Sequence, residues 1–194
     1  DFLILSSYIS YAIVTAFGVH PFVSLIFVIP IMFILGFVVQ NSMLNRVMGG
    51  SAEPPLMITF GLSIVIQNLL LYFFTADART LKTAYSIRSI QITEGIRIPF
   101  LYLVGCITGV VIILLLGIYF KKTYQGKAIK AASDDKEAAQ LMGINIKSIY
   151  GIAMGISLGT AAIAGVIIGT IYNFYPSSGS SYLIIALDRK STRL

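Results

Sequence analysis

The 194-residue chain is 57% hydrophobic and 11% charged, with a formal net charge of +6, where a typical soluble domain is about 25% charged. A mean hydropathy of +0.87 excludes an ordinary soluble domain and points to an all-α polytopic membrane protein. One cysteine and one histidine leave no parts for a disulfide framework, a structural metal centre or a Cys/His nucleophilic system, and no basic stripe interleaves with exposed aromatics to suggest nucleic acid as a partner.

About twenty apolar residues at 1.5 Å rise each cross the ~30 Å hydrocarbon core. By that measure residues 1–187 read as one transmembrane domain with spans near 2–18, 21–44, 56–75, 99–120 and 147–173. Asp1 is not preceded by a methionine or a basic stretch, so residues 1–11 do not read as a signal peptide. No charge follows Asp1 until Arg46, too long a run for one helix, and Gly18-Val19-His20-Pro21 divides it. Pro30 is expected to kink the second span, which a membrane helix tolerates when neighbours satisfy the freed carbonyl. His20 reads as an interfacial residue at the turn, since no second histidine exists to share a ligand. Asn45–Pro55, with Arg46, Glu53 and the Pro54-Pro55 break, reads as a loop.

In the third span Thr59, Ser63 and Gln67 recur every four residues, with Asn68 adjacent, which puts a polar stripe on one helical face. Lipid-facing polar groups are costly, so the stripe should face another helix or a water-filled path. Interhelical packing glue and a translocation surface are both open readings. Around Thr93-Glu94-Gly95 the segments SIRSIQIT and GIRIP alternate apolar and polar residues, the pattern of a short β-hairpin. Cys106, in the fourth span, reads as a small buried apolar residue.

The last span carries Gly151, Gly155 and Gly159, then Gly165 and Gly169, at four-residue spacing, which lets helices approach closely in lipid. Close packing is the favoured reading and a gating hinge the competing one. No charged residue falls inside a span, which argues against a proton-coupled carrier.

The only sustained charged stretch between apolar runs is Gly126–Gly143, GKAIKAASDDKEAAQLMG. It reads as a short helix outside the bilayer. Ser133 is the expected N-cap, Asp134 and Asp135 lie in the first turn, Glu137 follows, and Gly143 supplies the residue that tolerates a left-handed terminus. Ala138, Ala139, Leu141 and Met142 offer it an apolar docking face. A lysine-rich orientation signal is the simpler reading of the charge alone. Positive residues bias the same way: Arg46, Lys121, Lys122, Lys127, Lys130, Lys136 and Lys147 share one side, against Arg79, Lys82, Arg88 and Arg97 on the other. That places the segment in the cytoplasm. Gly126-Lys127 is not a Walker A motif: Lys121 stands where its first glycine belongs, and Ala128 replaces Ser/Thr.

The phrase GKAIKAASDDKEAAQLMGINI resembles the EAA loop of ABC-importer permeases, in the version carried by branched-chain amino-acid (LivH/LivM-type) permeases. ITFGLSIVIQNL is similar to the corresponding helix of that family. The resemblance implies a permease helix bundle with a short periplasmic β-hairpin and a cytoplasmic coupling helix. It implies a multi-pass location in the bacterial inner membrane, within lipid. The implied partners are a second permease subunit of the same or a different kind, ABC ATPase subunits that bind the ATP, and an extracytoplasmic solute-binding protein. This chain itself would hold no cofactor and catalyse nothing; Lys130, Ser133, Asp134, Asp135, Glu137, Ala138, Ala139 and Gly143 would couple it to the ATPase. Branched-chain amino acids are the implied substrates, with other amino acids, amides or urea handled by relatives.

Against the family pattern the chain reads as a fragment lacking N-terminal and C-terminal helices. Asp188–Leu194, DRKSTRL, back-translates to common sequencing-adapter DNA and reads as a non-native tail. An ATP-independent channel or carrier, and a structural or regulatory membrane subunit, are the alternatives.

Overall fold

The computed structural model describes residues 1–47, 53–81, 89–93 and 96–179, with backbone only between 89 and 98. The elements are α1 (Phe2–Phe17), α2 (Pro21–Val39), a π turn (Gln40–Leu44), α3 (Asn45–Val47), α4 (Glu53–Phe74), β1 (Ser89–Thr93), β2 (Ile96–Pro99), α5 (Phe100–Lys122), α6 (Tyr124–Asp134), α7 (Lys136–Leu141), α8 (Ile146–Ile171) and a 3-10 turn (Pro176–Ser178). Four helices among the described residues are long and apolar enough to cross a membrane: Pro21–Val47, Glu53–Phe74, Phe100–Lys122 and Ile146–Ile171. At 16 residues α1 is shorter than a span.

Local chemistry sets these boundaries. Gly18, at φ 64, closes α1 in the left-handed conformation that costs glycine least. His20 opens α2: its Nδ1 accepts from the Phe22 amide at 3.4 Å, ahead of Pro21 at the first helical position. The histidine is thus a helix cap. α4 begins at Glu53 rather than near residue 56, so Pro54 and Pro55 lie in its first turn instead of breaking a loop. A missing N–H is harmless there, because first-turn amides have no intrahelical partner.

α8 is the central helix, packed along α2 and α1. Where α2 crosses it, a Cβ on Gly36 would meet the Met154 carbonyl at 2.8 Å, and one on Gly151 or Gly155 would meet the Phe37 or Phe33 ring at 2.9 Å. Gly169 faces Leu81 and Phe174 at 3.1 Å, whereas Gly159 has only Ile29, at an ordinary 3.8 Å. Further along, Gly165 abuts Leu3 and Ser6 of α1. Buried hydroxyls bridge the same contacts: Ser7 donates to the Gly165 carbonyl at 2.7 Å, and Ser10 and Ser24 join α1 to α2 at 2.6 Å. Close approach and interhelical hydrogen bonds take over where lipid removes the hydrophobic drive.

Beyond α4 the chain turns back over the bundle. Arg79 and Phe174 exchange backbone hydrogen bonds at 3.0 Å, which buries Leu81 and Phe174 beside Ile4, Tyr8, Ile66, Leu70 and Val166. β1 and β2 pair antiparallel, Ser89 opposite Pro99 and Ile90 opposite Ile98. Glu94 and Gly95, the expected turn, lie outside the described residues, as do Lys82, Arg88, the apolar stretch 182–187 and the tail 188–194.

α5 buries only Leu101. Cys106 is therefore exposed rather than buried as its apolar surroundings predict. An apolar run signals lipid solubility as readily as protein core, and α5 contacts the bundle along one edge of α8.

Candidate functional site: a capped surface helix and an intramembrane carboxylate

The segment 124–145 forms two short helices where the sequence predicts one. Thr123 caps α6 by accepting from the Gly126 amide at 3.0 Å. Asp135 then leaves helical geometry, with φ −149 and ψ 108, and ends α6. Its Oδ1 accepts from the Glu137 and Ala138 amides at 2.9 and 3.0 Å, so it is also the N-cap of α7. This corrects the expected N-cap: Ser133 and Asp134 close α6 instead of opening α7. Both Ser and Asp are good caps, and α6 continues past Ser133 because Ala128 and Ala132 bury against α8.

The far end of α7 is closed as tightly. Gly143 has φ +81, its amide bonds the Gln140 carbonyl at 2.9 Å, and the Ile144 amide bonds the Ala139 carbonyl at 3.1 Å. Those two bonds are a Schellman motif, in which a left-handed residue satisfies the last carbonyls. The apolar residues do not share one face. Ala139 packs inward with Ala128, Ala132, Ile146 and Ile149, whereas Leu141 and Met142 are 89% and 83% exposed. Lys130, Ser133, Asp134, Glu137 and Ala138 are also exposed. The outer face of α7 thus offers two large apolar side chains within a mixed-charge rim, anchored through Ala139 to the start of α8. At the other end of that link, Asn45 Nδ2 donates to the Lys147 carbonyl at 3.0 Å and ties α3 to α8.

The polar stripe of α4 divides. Ser63 Oγ donates to Asp1 Oδ2, and Gln67 Nε2 donates to Asp1 Oδ1 at 2.8 Å. Thr59 bonds the Leu56 carbonyl of its own helix at 2.9 Å, and Asn68, turned outward, bonds the Ile64 carbonyl at 2.8 Å. Thr59 and Ser63 line a cavity of about 540 Å³ with Asp1, Phe2, Leu56, Phe60, Ile66 and Met154.

Periodicity gave no sign of Asp1. Ser63 sits ten residues into the 22-residue α4, roughly 15 Å along it at 1.5 Å per residue, so the carboxylate lies at mid-height of a spanning helix. The absence of charge inside the spans is true of the sequence runs and untrue of the packed bundle. Arg79, a loop charge by sequence, also has a fixed place in the fold. Its Nη1 donates to Tyr11 Oη at 2.8 Å and its guanidinium lies 5.2 Å from that ring, and this contact raises its pKa further above the ordinary value.

Length, composition and the four spanning helices define a polytopic helical membrane protein. A family model described as the branched-chain amino acid transport system permease component matches residues 1–187, and the chain belongs to that family. It is 21% identical to the high-affinity branched-chain amino acid transport system permease protein BraD of Pseudomonas aeruginosa, over 71% of this chain and 46% of that protein. It is 23% identical to the probable branched-chain amino acid transport permease protein LivH of Methanocaldococcus jannaschii, over 95% of this chain and 59% of that one. The chain thus spans about half the length of these relatives. No solved structure matches it.

Proposed function

We propose that this chain is the transmembrane permease subunit of an ABC importer for branched-chain amino acids, located in the bacterial inner membrane. Its partners would be ABC ATPases that bind the ATP, a second permease subunit, an extracytoplasmic binding protein and the surrounding lipid; the β1–β2 pair would lie on the extracytoplasmic side. The observation that carries the reading is α7, a six-residue helix closed at both ends that holds Leu141 and Met142 outward at 89% and 83% exposure. Such a helix is a rigid knob suited to a groove on a soluble partner. Family membership supports an ABC ATPase as that partner.

The coupling mechanism follows from packing. When the ATPases close, the push falls on α7, and its inward anchor Ala139 bears on Ala128 and Ala132 of α6 and on Ile146 and Ile149 of α8. α8 is glycine-packed against α2 and α1, so displacement of its start is carried along the bundle rather than absorbed in side chains. Glu137, Ala138, Leu141, Met142 and Gly143 thus serve coupling, with Lys130, Ser133, Asp134 and Asp135 shaping the same surface. The Thr59, Ser63 and Gln67 part of the α4 stripe borders the solute path, with Asn68 turned away from it.

The test is co-purification of the full-length permease with its ATPase. Leu141→Asp should reduce ATPase recovery at least tenfold while the permease still reaches the membrane, since buried apolar anchors dominate interface energy. Undiminished recovery for Leu141→Asp and for Met142→Asp would refute the docking role.

A further inference from the structure

We propose that Asp1, held by Ser63 and Gln67, is the intramembrane counter-charge for the protonated amine of the transported solute, and that the adjoining cavity wall takes its branched aliphatic side chain. This deepens the importer reading and rests on it.

Two observations carry the inference. The Asp1 carboxylate reaches across to α4 and accepts from Ser63 and from Gln67, the latter at 2.8 Å. Space for it comes from Gly179, where a Cβ would collide with Asp1 Oδ1.

The donors are neutral, so they orient the carboxylate without neutralising it, and among the described residues no salt bridge to a lysine or arginine side chain discharges it. A carboxylate at that depth is expensive unless something positive meets it. A protonated amine pairs with it on arrival, and the hydroxyl and amide hold both oxygens aimed in the meantime.

The cavity supplies the rest. Its volume of about 540 Å³ falls within the range of small-molecule sites. Beside Asp1, Thr59 and Ser63 its wall is apolar, formed by Phe2, Leu56, Phe60, Ile66 and Met154. One anionic end and one greasy wall complement an ammonium group on a branched hydrocarbon. The apolar wall suits neither urea nor an inorganic ion.

The experiment uses the full-length permease assembled with its ATPases and binding protein in proteoliposomes. Asp1→Asn, which keeps the shape and removes the charge, should lower leucine uptake at least tenfold, and Asp1→Glu should recover part of it. A second measurement does not depend on ATP. In a Cys106→Ala background, Ser63→Cys should react at least tenfold faster with a cationic methanethiosulfonate than with an anionic one, and loaded binding protein should slow the reaction. Adding Asp1→Asn should abolish that preference for the cation, which loss of a structural tie alone would not do. Unchanged uptake in Asp1→Asn, or equal rates for the two reagents, would overturn the proposal. If Asp1→Asn fails to assemble, the reagent preference with Asp1 intact decides. Wild-type liposomes that take up no leucine with ATP would refute the importer reading itself, while the reagent preference separately tests the site.

Discussion

Ser7 Oγ donates to the Gly165 carbonyl at 2.7 Å, and the same glycine lies against Leu3 and Ser6 of α1. A methyl there has no empty volume to enter, since it would strike the Leu3 carbonyl and the Ser6 hydroxyl. Gly165→Ala should therefore destabilise the assembled complex by about 1–3 kcal/mol, the usual cost of overpacking. Gly159→Ala, whose nearest neighbour is Ile29 at 3.8 Å, should cost little. Thermal unfolding of the two variants side by side checks the difference, and equal losses would contradict the packing described.

Gly143 should rank its replacements by backbone rather than size. At φ +81 with nothing within 4 Å of an added Cβ, the obstacle is left-handed strain of roughly 1–2 kcal/mol for a non-glycine residue. Asn, which tolerates that conformation, should keep more uptake per ATP hydrolysed than Val. An equal effect of Asn and Val would show that volume, not conformation, is limiting.

Asp135 and Ser133 are separable by single substitutions. Asp135→Ala removes the single oxygen that accepts from the Glu137 and Ala138 amides and should cost about 1 kcal/mol of local helix stability. Ser133→Ala, inside α6 and exposed, should be near neutral. Hydrogen exchange at the α7 amides reads this directly, with faster exchange expected only for Asp135→Ala.

Thr75 is the one non-glycine residue at positive φ among those described, at φ 62, where it ends α4. A β-branched side chain is poorly suited to that region. Thr75→Asn should raise stability by about 1 kcal/mol, while its short polar side chain stays near Asp77, the present partner of Thr75 Oγ1 at 2.8 Å. A lowered unfolding temperature would argue against strain at this position.

What the sequence disclosed follows from the range of each interaction. Apolar run length marks the helices that cross lipid, because that property belongs to the segment alone. Gly143 was legible as a terminus for the same reason. The choice between Ser133 and Asp135 was not, since it turns on Ala128 and Ala132 packing against α8. Nor was the exposure of Cys106, which depends on how little of α5 meets the bundle. Asp1 was the hardest to read. Its partners Ser63 and Gln67 were visible as a stripe, but the carboxylate that faces them is over sixty residues away, and only the packed bundle brings it to their height.

The most direct test of the central claim is leucine uptake into proteoliposomes holding the full-length permease, its ATPases and loaded binding protein, with ATP supplied or withheld. An ATP-coupled importer should accumulate leucine against a gradient only with ATP, and should lose this in Leu141→Asp. Uptake that proceeds equally without ATP would contradict the importer reading and would make the chain an ATP-independent carrier.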